Sequence, residues 1–304
     1  MSNRAESVLV GLIGEGVMPS LTPPMHEREA DVQGLRLLYR PIDLLELALP
    51  ATAVGDLLTA AHRMGFNGLN ITHPCKQLVL EHLDEISDDA RRLGAVNTVL
   101  IQDGRFTGHN TDFSGFGSAL ADGLPNAKLD RVVQLGAGGA GSAVAYALLK
   151  AGVATLDLVD MDPSRAAERA AELGGLFPAA TVTPRTTAEL SGIMPLADGL
   201  VHCTPIGMAA HPGLPLDIDL LEPRQWVADI VYRPIETQLV REARAKGCDV
   251  LDGGRMAVGQ AADAFQLITG READRERMRA HFLELIAVED AAASLTPELT
   301  KAGN

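Results

Sequence analysis

The feature that most restricts how this chain can fold is a glycine-rich turn between a strand-like run and a helical run. Val132–Leu135 is a short apolar run typical of a buried strand, and Gly136–Gly141 follows it directly with the sequence GAGGAG. Ser142–Lys150 then has helical character, and Thr155–Val159 suits the next strand. A strand, tight turn, helix and strand in this order predict a parallel α/β unit.

The positions of the glycines indicate what this turn can hold. Gly136 permits a tight turn, Gly138 lets the backbone approach a pyrophosphate, and Gly141 lets the helix pack against the strand. The helix N-terminus adds free N–H groups and positive partial charge for phosphates. Asp160 ends the second strand, where an acid can bind ribose hydroxyls; capping the next helix is the alternative role, and it suits Asp162 better. The pattern predicts a site for a dinucleotide of the NAD type.

Length and composition are those of a globular protein with two domains or one large α/β domain. The chain has 304 residues, 46% of them hydrophobic and 22% charged, and a net charge of −14, which opposes non-specific binding to nucleic acid or to an anionic membrane. No apolar run approaches the length of a membrane span, and the N-terminus does not look like a signal peptide. Three scattered cysteines and the lack of ligand clusters argue against disulfides and a metal site, so we expect a cytoplasmic protein.

Apolar runs with the periods of strands and helices alternate over most of the chain, which favours parallel, helix-covered sheets. Besides those above, the predicted strands are Val8–Ile13, Leu35–Arg40, Gly68–Thr72, Thr98–Gln102, Gly199–Cys203, Trp226–Tyr232 and Asp249–Leu251. The predicted helices are Ala53–Met64, Gln77–Leu93, Pro163–Leu173, Glu236–Lys246, Met256–Thr269 and Glu272–Ile286. The end, Ala287–Asn304, lacks a periodic apolar face and is expected to be frayed or loosely docked.

Several other segments resemble the shikimate/quinate dehydrogenase family. They are Ser20-Leu21-Thr22-Pro23, Asn70–Lys76 (NITHPCK), Gly94–Thr98 (GAVNT), Gly108–Asp112 (GHNTD), Thr204–Met208 (TPIGM) and Gln260–Phe265 (QAADAF). The match runs from Val8 to Phe282 with the motifs in the family's order, and it is closest to the bacterial NAD-dependent quinate/shikimate dehydrogenases. One departure is His202-Cys203-Thr204, where relatives usually have Asn-Ala-Thr.

The resemblance implies an α/β fold with two α/β domains and an interdomain cleft. Residues 1–112 and 254–304 would form the substrate-binding domain, and residues 113–253 the Rossmann-type NAD-binding domain. The implied substrate is a small hydroxylated cyclohexane or cyclohexene carboxylate. The implied role is in the shikimate pathway of aromatic amino acid biosynthesis or in quinate catabolism. No nucleic acid or membrane partner is expected, and the oligomeric state stays open, a homodimer being one option.

Polar side chains of the matched motifs are implied to hold this substrate. Ser20 and Thr22 would bind its carboxylate; ring hydroxyls would contact Thr72, Asn97 and Gln260, with Asn70 and Tyr232 in support. Lys76 and Asp112 match the catalytic pair, with Lys76 transferring the proton and Asp112 orienting it and contacting the same hydroxyl. Which of the two is the formal base stays open.

The implied cofactor is NAD. The pyrophosphate would lie on the turn of Gly136, Gly138, Gly139 and Ala140, and the adenosine near Asp160 and Arg165. Thr204, Pro205, Met208, Ile230 and Gly253 would line it towards the nicotinamide. NADP-dependent relatives place an Asn-Arg-Ser/Thr segment where this chain has Asp160-Met161-Asp162, which favours NAD.

Three questions stay open on the sequence. An enzyme similar to methylenetetrahydrofolate dehydrogenase shares the architecture, although the Ser20/Thr22 and Asn97/Asp112 constellation argues against it. A non-catalytic protein that senses NAD or a metabolite is the alternative from another class, and the intact Lys76 and Asp112 argue against it. The preference between quinate and shikimate is not encoded in any motif we recognise.

Overall fold

The computed structural model of the protein describes residues 7–301, and the side chains of residues 7–291. The chain forms two compact units. One contains the residues up to Asn110 together with those from Ala261 onward, and the other is Thr111–Gln260. Each unit has its own six-stranded sheet with helices, so the prediction of two α/β units is confirmed.

The first unit has a mixed sheet. Its strands are β1 (Ser7–Gly14), β2 (Arg36–Asp43), β3 (Gly68–Ile71), β4 (Glu85–Ile86), β5 (Thr98–Gln102) and β6 (Arg105–His109), in the order β2-β1-β3-β5-β6-β4. β1 is parallel to β2 and β3, but β5 is antiparallel to β3 and to β6. The expectation of a purely parallel arrangement is therefore wrong here. Asp103-Gly104 connects β5 to β6 with positive φ at both residues, the two-residue turn that joins antiparallel strands.

The helices that follow these strands are α1 (Thr22–Val32), α2 (Val54–Met64), α3 (Cys75–Leu78) and α4 (Asp88–Leu93). The single helix predicted over Gln77–Leu93 is wrong. The chain leaves α3 through a 3-10 turn, pairs β4 with β6, and starts α4 at Ser87, whose hydroxyl accepts a hydrogen bond from the Ala90 N–H. A serine N-cap favours a new helix start over a continuous helix.

The second unit has a fully parallel sheet. Its strands are β7 (Arg131–Leu135), β8 (Thr155–Val159), β9 (Thr181–Arg185), β10 (Gly199–His202), β11 (Trp226–Asp229) and β12 (Asp249–Leu251), in the order β12-β11-β10-β7-β8-β9. This is the doubly wound order, and its direction reverses between β7 and β10. The helices are α5 (Thr111–Gly123), α6 (Gly139–Lys150), α7 (Pro163–Leu176), α8 (Leu190–Ile193) and α9 (Gln238–Ala245).

Two long helices end the fold, α10 (Gly253–Thr269) and α11 (Arg275–Lys301). α11 is held to α1 in the first unit because the Arg277 guanidinium donates to both oxygens of the buried Glu29 carboxylate. The segment expected to be frayed or loosely docked, Ala287–Asn304, continues α11 as far as Lys301, and Ala302–Asn304 lie outside the described residues. None of the helices in the described part of the chain is both long and apolar enough to cross a membrane.

Candidate functional site

The polar residues predicted to bind substrate in the first unit lie at one edge of its sheet. The parallel strands β1 and β3 both end at this edge, so the segments that follow them begin side by side. The segment after β1 carries Ser20 and Thr22, and the segment after β3 carries Thr72 and Lys76. β5 runs the other way, and its start therefore brings Asn97 to the same edge, where its carbonyl accepts from the Ile71 N–H at 2.8 Å. The fold thus gathers side chains from motifs that are distant in sequence.

The segment that carries Ser20 and Thr22 is held by Asp43, the last residue of β2. Its carboxylate accepts hydrogen bonds from the N–H groups of Gly16, Val17, Met18 and Leu45 at 2.7–3.2 Å. Burial acts to raise the pKa of Asp43, but these four N–H donors outweigh it and hold the pKa below its ordinary value. The loop is therefore fixed by a charge that is retained down to low pH.

Asn70 is committed to a buried network. Its Oδ1 accepts from the Tyr39 hydroxyl at 2.6 Å, and its Nδ2 donates to the Asn97 carbonyl at 3.3 Å and to the Thr98 hydroxyl at 2.9 Å. Thr98 in turn donates to Asn97 Oδ1 at 3.1 Å. Asn70 and Asn97 are both buried, so this network fixes the amide of Asn97 at the edge of the sheet.

In the second unit, Asp112 and Gln260 lie on two helices that pack closely. A Cβ at Gly115 of α5 would come within 2.4 Å of the Gln260 backbone nitrogen on α10. Asp112 lies in the first turn of α5, three positions before Gly115, so it shares that side of the helix. Lys76, its predicted partner, is in α3 of the first unit and is half-buried.

The glycine turn after β7 has the features that its sequence predicts. Gly136 has φ of +98°, and a Cβ at this position would come within 2.7 Å of the Cys203 carbonyl oxygen. A Cβ at Gly141 would come within 2.3 Å of the Gly136 oxygen. Gln134, a buried residue of β7, locks the turn by donating from Nε2 to the carbonyls of Gly136 and Gly141, both at 2.8 Å.

Gly138 and Gly139 differ from these two glycines because a Cβ at either would meet nothing within 4 Å. The turn therefore leaves an open cradle at the N-terminus of α6, where backbone N–H groups and the helix dipole favour a phosphate. The residues present fit a dinucleotide pyrophosphate.

Asp160 follows β8, at the same edge of the sheet as this cradle. It accepts hydrogen bonds from the N–H groups of Ala137 at 2.8 Å and Asp162 at 2.9 Å, and Arg165 pairs with both of its oxygens at 3.2 and 2.9 Å. Burial acts to raise the pKa of Asp160, but these donors lower it overall. The cap of α7 is Asp162, which accepts from the N–H groups of Ser164 and Arg165. No sequence motif indicates that Arg165 turns back onto Asp160.

The remaining predicted cofactor residues follow the other strands at this edge. Thr204, Pro205 and Met208 lie after β10, and the Thr204 methyl would be 3.1 Å from a Cβ at Gly136. Gly253 fits against the segment after β11, because a Cβ there would come within 2.6 Å of the Ile230 carbonyl oxygen. Tyr232, on the same segment, is 36% exposed. Ligands of doubly wound sheets bind at this edge, near the point where strand order reverses.

Several functional residues carry no recognisable signal in the sequence. Asp43 and Tyr39 act through contacts with segments that are distant in the chain, and Gln134 acts through the carbonyls of Gly136 and Gly141 in the turn that follows it. The nearest available signal is that Asp43 lies three residues after the predicted strand Leu35–Arg40, but an acid near the end of a strand is too common to identify a site. Among the described residues, no group of three His, Cys, Asp or Glu side chains could hold a metal ion.

Comparison with known proteins places these features in one family. The family profile described as "Shikimate dehydrogenase substrate binding domain" matches residues 12–99, and "Shikimate 5'-dehydrogenase C-terminal domain" matches residues 254–281. The chain is 80% identical to the shikimate dehydrogenase (NADP(+)) of Arthrobacter sp. (strain FB24) over 96% of this chain and 100% of that protein. It is 52% identical to the quinate/shikimate dehydrogenase (NAD(+)) of Corynebacterium glutamicum (strain R) over 92% of this chain and 99% of that protein.

A solved structure shows the same arrangement over nearly the whole chain. The quinate dehydrogenase from Corynebacterium glutamicum in complex with NAD superimposes with a TM-score of 0.88 at 51% identity, covering 91% of this chain and 99% of that one. Sequence, fold and the dinucleotide turn agree, and the chain belongs to the shikimate/quinate dehydrogenase family of oxidoreductases.

Proposed function

We propose that the protein is an NAD-dependent oxidoreductase that interconverts quinate and 3-dehydroquinate, shikimate and 3-dehydroshikimate, or both, at the C3 hydroxyl. The domain division proposed with it is residues 1–112 and 254–304 for substrate and 113–253 for NAD. The relatives split between NADP(+) and NAD(+) names, so cofactor choice has to be argued from this chain's own residues.

Asp160 is the observation that carries the proposal. Its carboxylate is held in place by the amides of Ala137 and Asp162, so it cannot easily turn away from the adenosine end of the cradle. It can accept hydrogen bonds from the free ribose hydroxyls of NAD, whereas it would set a negative charge beside the 2′-phosphate of NADP. At about 4 Å and an effective dielectric near 20, each unit of like charge costs roughly 4 kcal/mol before screening.

Arg165, in contrast to Asp160, carries a group that would favour NADP. Its guanidinium is half-exposed and pairs with Asp160, and a guanidinium is the group that best recognises a phosphate. The pairing leaves Asp160 as the fixed partner and Arg165 as the movable one. We therefore propose that Asp160 sets the preference for NAD, and that Arg165 would support NADP only if the carboxylate were removed.

The proposed proton transfer uses Lys76 and Asp112. Oxidising a secondary alcohol requires loss of a hydride from carbon and of a proton from oxygen, and the protein must accept the proton. When bound, the nicotinamide supplies the hydride acceptor. Lys76 takes the hydroxyl proton, and Asp112 orients Lys76 and the hydroxyl.

Substrate orientation is assigned to neutral polar groups. Ser20 and Thr22 hold the carboxylate, Thr72, Asn97 and Gln260 hold ring hydroxyls, and Asn70 and Tyr232 support them. The network that fixes Asn97 suits this role, because a buried polar group left unpaired by the wrong stereoisomer costs about 1–3 kcal/mol.

The deciding experiment is kcat/KM for quinate and shikimate, each with NAD and with NADP. We expect turnover of both substrates and a preference for NAD of at least about two orders of magnitude, roughly 2.7 kcal/mol. Turnover of one compound with no competition from the other would contradict the dual-substrate proposal, and equal use of both cofactors would contradict the role of Asp160.

Two variants separate the contributions at the adenosine end. Asp160→Ala should narrow the gap between NAD and NADP by weakening NAD and releasing Arg165 for the 2′-phosphate. Adding Arg165→Ala to that variant should remove the gain with NADP. Asp162→Ala is the matched control, since it removes the neighbouring exposed carboxylate that caps α7. An equal change in Asp162→Ala would show that nearby charge alone, and not Asp160, decides the preference.

A further inference from the structure

Four side chains form a continuous hydrogen-bonded chain at the ends of β10 and β11. His202 Nε2 lies 2.6 Å from the Thr204 hydroxyl, and His202 Nδ1 lies 2.9 Å from Asp229 Oδ1. The other Asp229 oxygen accepts from the Thr237 hydroxyl at 2.7 Å. His202 and Asp229 are neighbours across the two strands and are fully buried, whereas Thr204 is half-buried.

The partners of these groups indicate where the protons lie when the imidazole is neutral. Asp229 can only accept, and it already receives the Thr237 hydroxyl and the Val231 N–H, so His202 donates to it from Nδ1. The Ile206 N–H donates to the Thr204 oxygen at 3.3 Å. In the neutral imidazole, Nε2 is then an acceptor, and the Thr204 hydroxyl donates its single proton to it.

This hydrogen bond reaches the dinucleotide turn. The Thr204 methyl lies against Gly136, where a Cβ would be 3.1 Å away, and the Cys203 carbonyl lies against the same glycine. β7 and β10, which carry the two segments, flank the point where strand order reverses, the place where ligands of this sheet type bind. A rotation of Thr204 about χ1 would therefore move its methyl into or away from that point.

We propose that His202 is a positioning residue for the cofactor: by accepting a hydrogen bond from the Thr204 hydroxyl, it fixes the segment Thr204–Met208 against the Gly136 turn and raises the affinity for the nicotinamide dinucleotide. The inference rests on the proposed use of such a cofactor. An asparagine at this position would be shorter, and it could serve the Asp229 side but not both sides at once.

Thr204, His202 and Asp229 are arranged like the nucleophile, base and orienting acid of a hydrolase. A nucleophilic role for Thr204 is disfavoured because the residue after a nucleophile of this type supplies an N–H to the oxyanion, and Pro205 has none. Thr204 also accepts from the Ile206 N–H, which makes its oxygen less basic. Positioning of the segment is the role that these contacts support.

The test measures NAD and NADP dissociation constants by calorimetry, without a polyol substrate. His202→Asn keeps a donor towards Asp229 and removes the acceptor towards Thr204, and Thr204→Val removes the hydroxyl but keeps the branched shape. We expect each to raise the dissociation constant of NAD about fivefold, as for the loss of one hydrogen bond. The double variant should bind NAD no more weakly than the single variant of lower affinity, because both substitutions remove the same hydrogen bond.

His211→Asn is the matched control, because His211 is exposed, lies three residues beyond this segment and contacts it through its backbone. It should leave NAD binding unchanged. Effects of His202→Asn and Thr204→Val that multiply in the double variant, or a change below about twofold in both, would overturn the proposal. Failure of the unaltered protein to bind either dinucleotide would instead overturn the proposed function.

A spectroscopic readout separates positioning from general stabilisation. In imidazole nitrogen NMR spectra, Nδ1 of His202 should carry the proton and Nε2 should not, and Thr204→Val should shift the Nε2 resonance. A proton on Nε2 would overturn the assigned direction of the hydrogen bond.

Discussion

At the scale of single residues, aspartates at strand ends determine the shape of the site. Asp43 ends β2, Asp160 follows β8 and Asp229 ends β11, and each accepts at least one N–H group from a loop that follows a strand. Loops at the carboxyl ends of parallel strands have N–H groups that no strand pairs with, and a carboxylate satisfies several of them in one place. Each of these loops carries residues that we assign to substrate or cofactor.

Asp43→Asn should weaken substrate binding without affecting the cofactor. The amide turns an N–H group towards N–H groups that the carboxylate accepted, so the loop with Ser20 and Thr22 loses its anchor. We expect KM for quinate or shikimate to rise several-fold, which corresponds to the loss of about one hydrogen bond to a charged group. KM for NAD should change little. The exposed Asp31→Asn, which removes the same charge from α1, is the control.

The pH dependence of this anchor has a defined sign. Because the folded protein lowers the pKa of Asp43 from 3.8, the carboxylate stabilises the fold above that value and this contribution is lost as the pH falls through the folded pKa.

A rise of KM for NAD equal to that for substrate in Asp43→Asn would show that the anchor is not specific to the substrate loop.

Lys76→Ala tests the proposed proton transfer. General acid–base groups contribute about 10²–10⁴ to the rate, so kcat should fall on that scale while NAD binds nearly as before. Steady-state kinetics with titration of NAD binding measure both quantities. The exposed Lys150, which lies over the rings of Phe113 and Tyr146, offers a Lys→Ala control. A variant that keeps most of kcat would remove Lys76 from the mechanism.

At the scale of elements, the turn between β7 and α6 contains two glycines that the fold requires and two that we propose for the ligand. Gly136 and Gly141 face protein backbone, and Gly138 and Gly139 face open space. Both kinds match the same sequence pattern, and only the surroundings distinguish them.

Gly139→Ala should therefore fold normally and bind dinucleotides poorly. Alanine favours the helix over glycine by up to about 1 kcal/mol, so the melting temperature should not fall, while the added methyl occupies the cradle and raises the dissociation constant of NAD. Gly175→Ala makes the same change in α7, also facing open space, and should leave binding unchanged. Calorimetry of both variants is the measurement. Unchanged NAD affinity in Gly139→Ala would show that the pyrophosphate lies elsewhere.

At the scale of the whole molecule, a buried histidine links stability to pH. His26 of α1 is completely buried, with its ring edge-on to Tyr39 and Phe265 at 5.0 and 5.7 Å between centroids. Burial lowers the pKa of His26 from 6.5 to about 3, and the backbone of Ala261 offsets only part of this. The folded protein therefore keeps the imidazole neutral where the unfolded chain protonates it.

The resulting prediction concerns unfolding at mildly acidic pH. Below pH 6.5 the unfolded chain binds one more proton at this position, so stability falls by about 1.4 kcal/mol per pH unit as the pH approaches 3. Urea unfolding at pH 7.5 and 5.5 should show that His26→Phe loses about 1.4 kcal/mol less than the unaltered protein over this interval. His62→Phe, at an exposed position, is the control and should keep the original slope. An unchanged slope in His26→Phe would show that another group governs the acid response.

The sequence by itself determined the features that depend on local chemistry. Residues adjacent in the chain have periods and backbone preferences that act over a few positions. They determine the glycine turn between β7 and α6, the strands β5, β8 and β12, and the cap at Asp162. The motifs also identified the family. The predicted site residues other than the turn stay predictions, although the fold brings several of them to one sheet edge.

Only the tertiary structure decided the features that depend on distant partners. A helical period over Gln77–Leu93 gave way to β4 because β6 offered a pairing partner, and the sheet became mixed because β5 pairs antiparallel with β3 as well as with β6. Asp43, Arg165 and His202 acquired their contacts with Val17, Asp160 and Asp229 only when folding brought these groups together. The physical reason is that a side chain's hydrogen-bond partner is set by packing in space, which residue type and spacing along the chain do not specify.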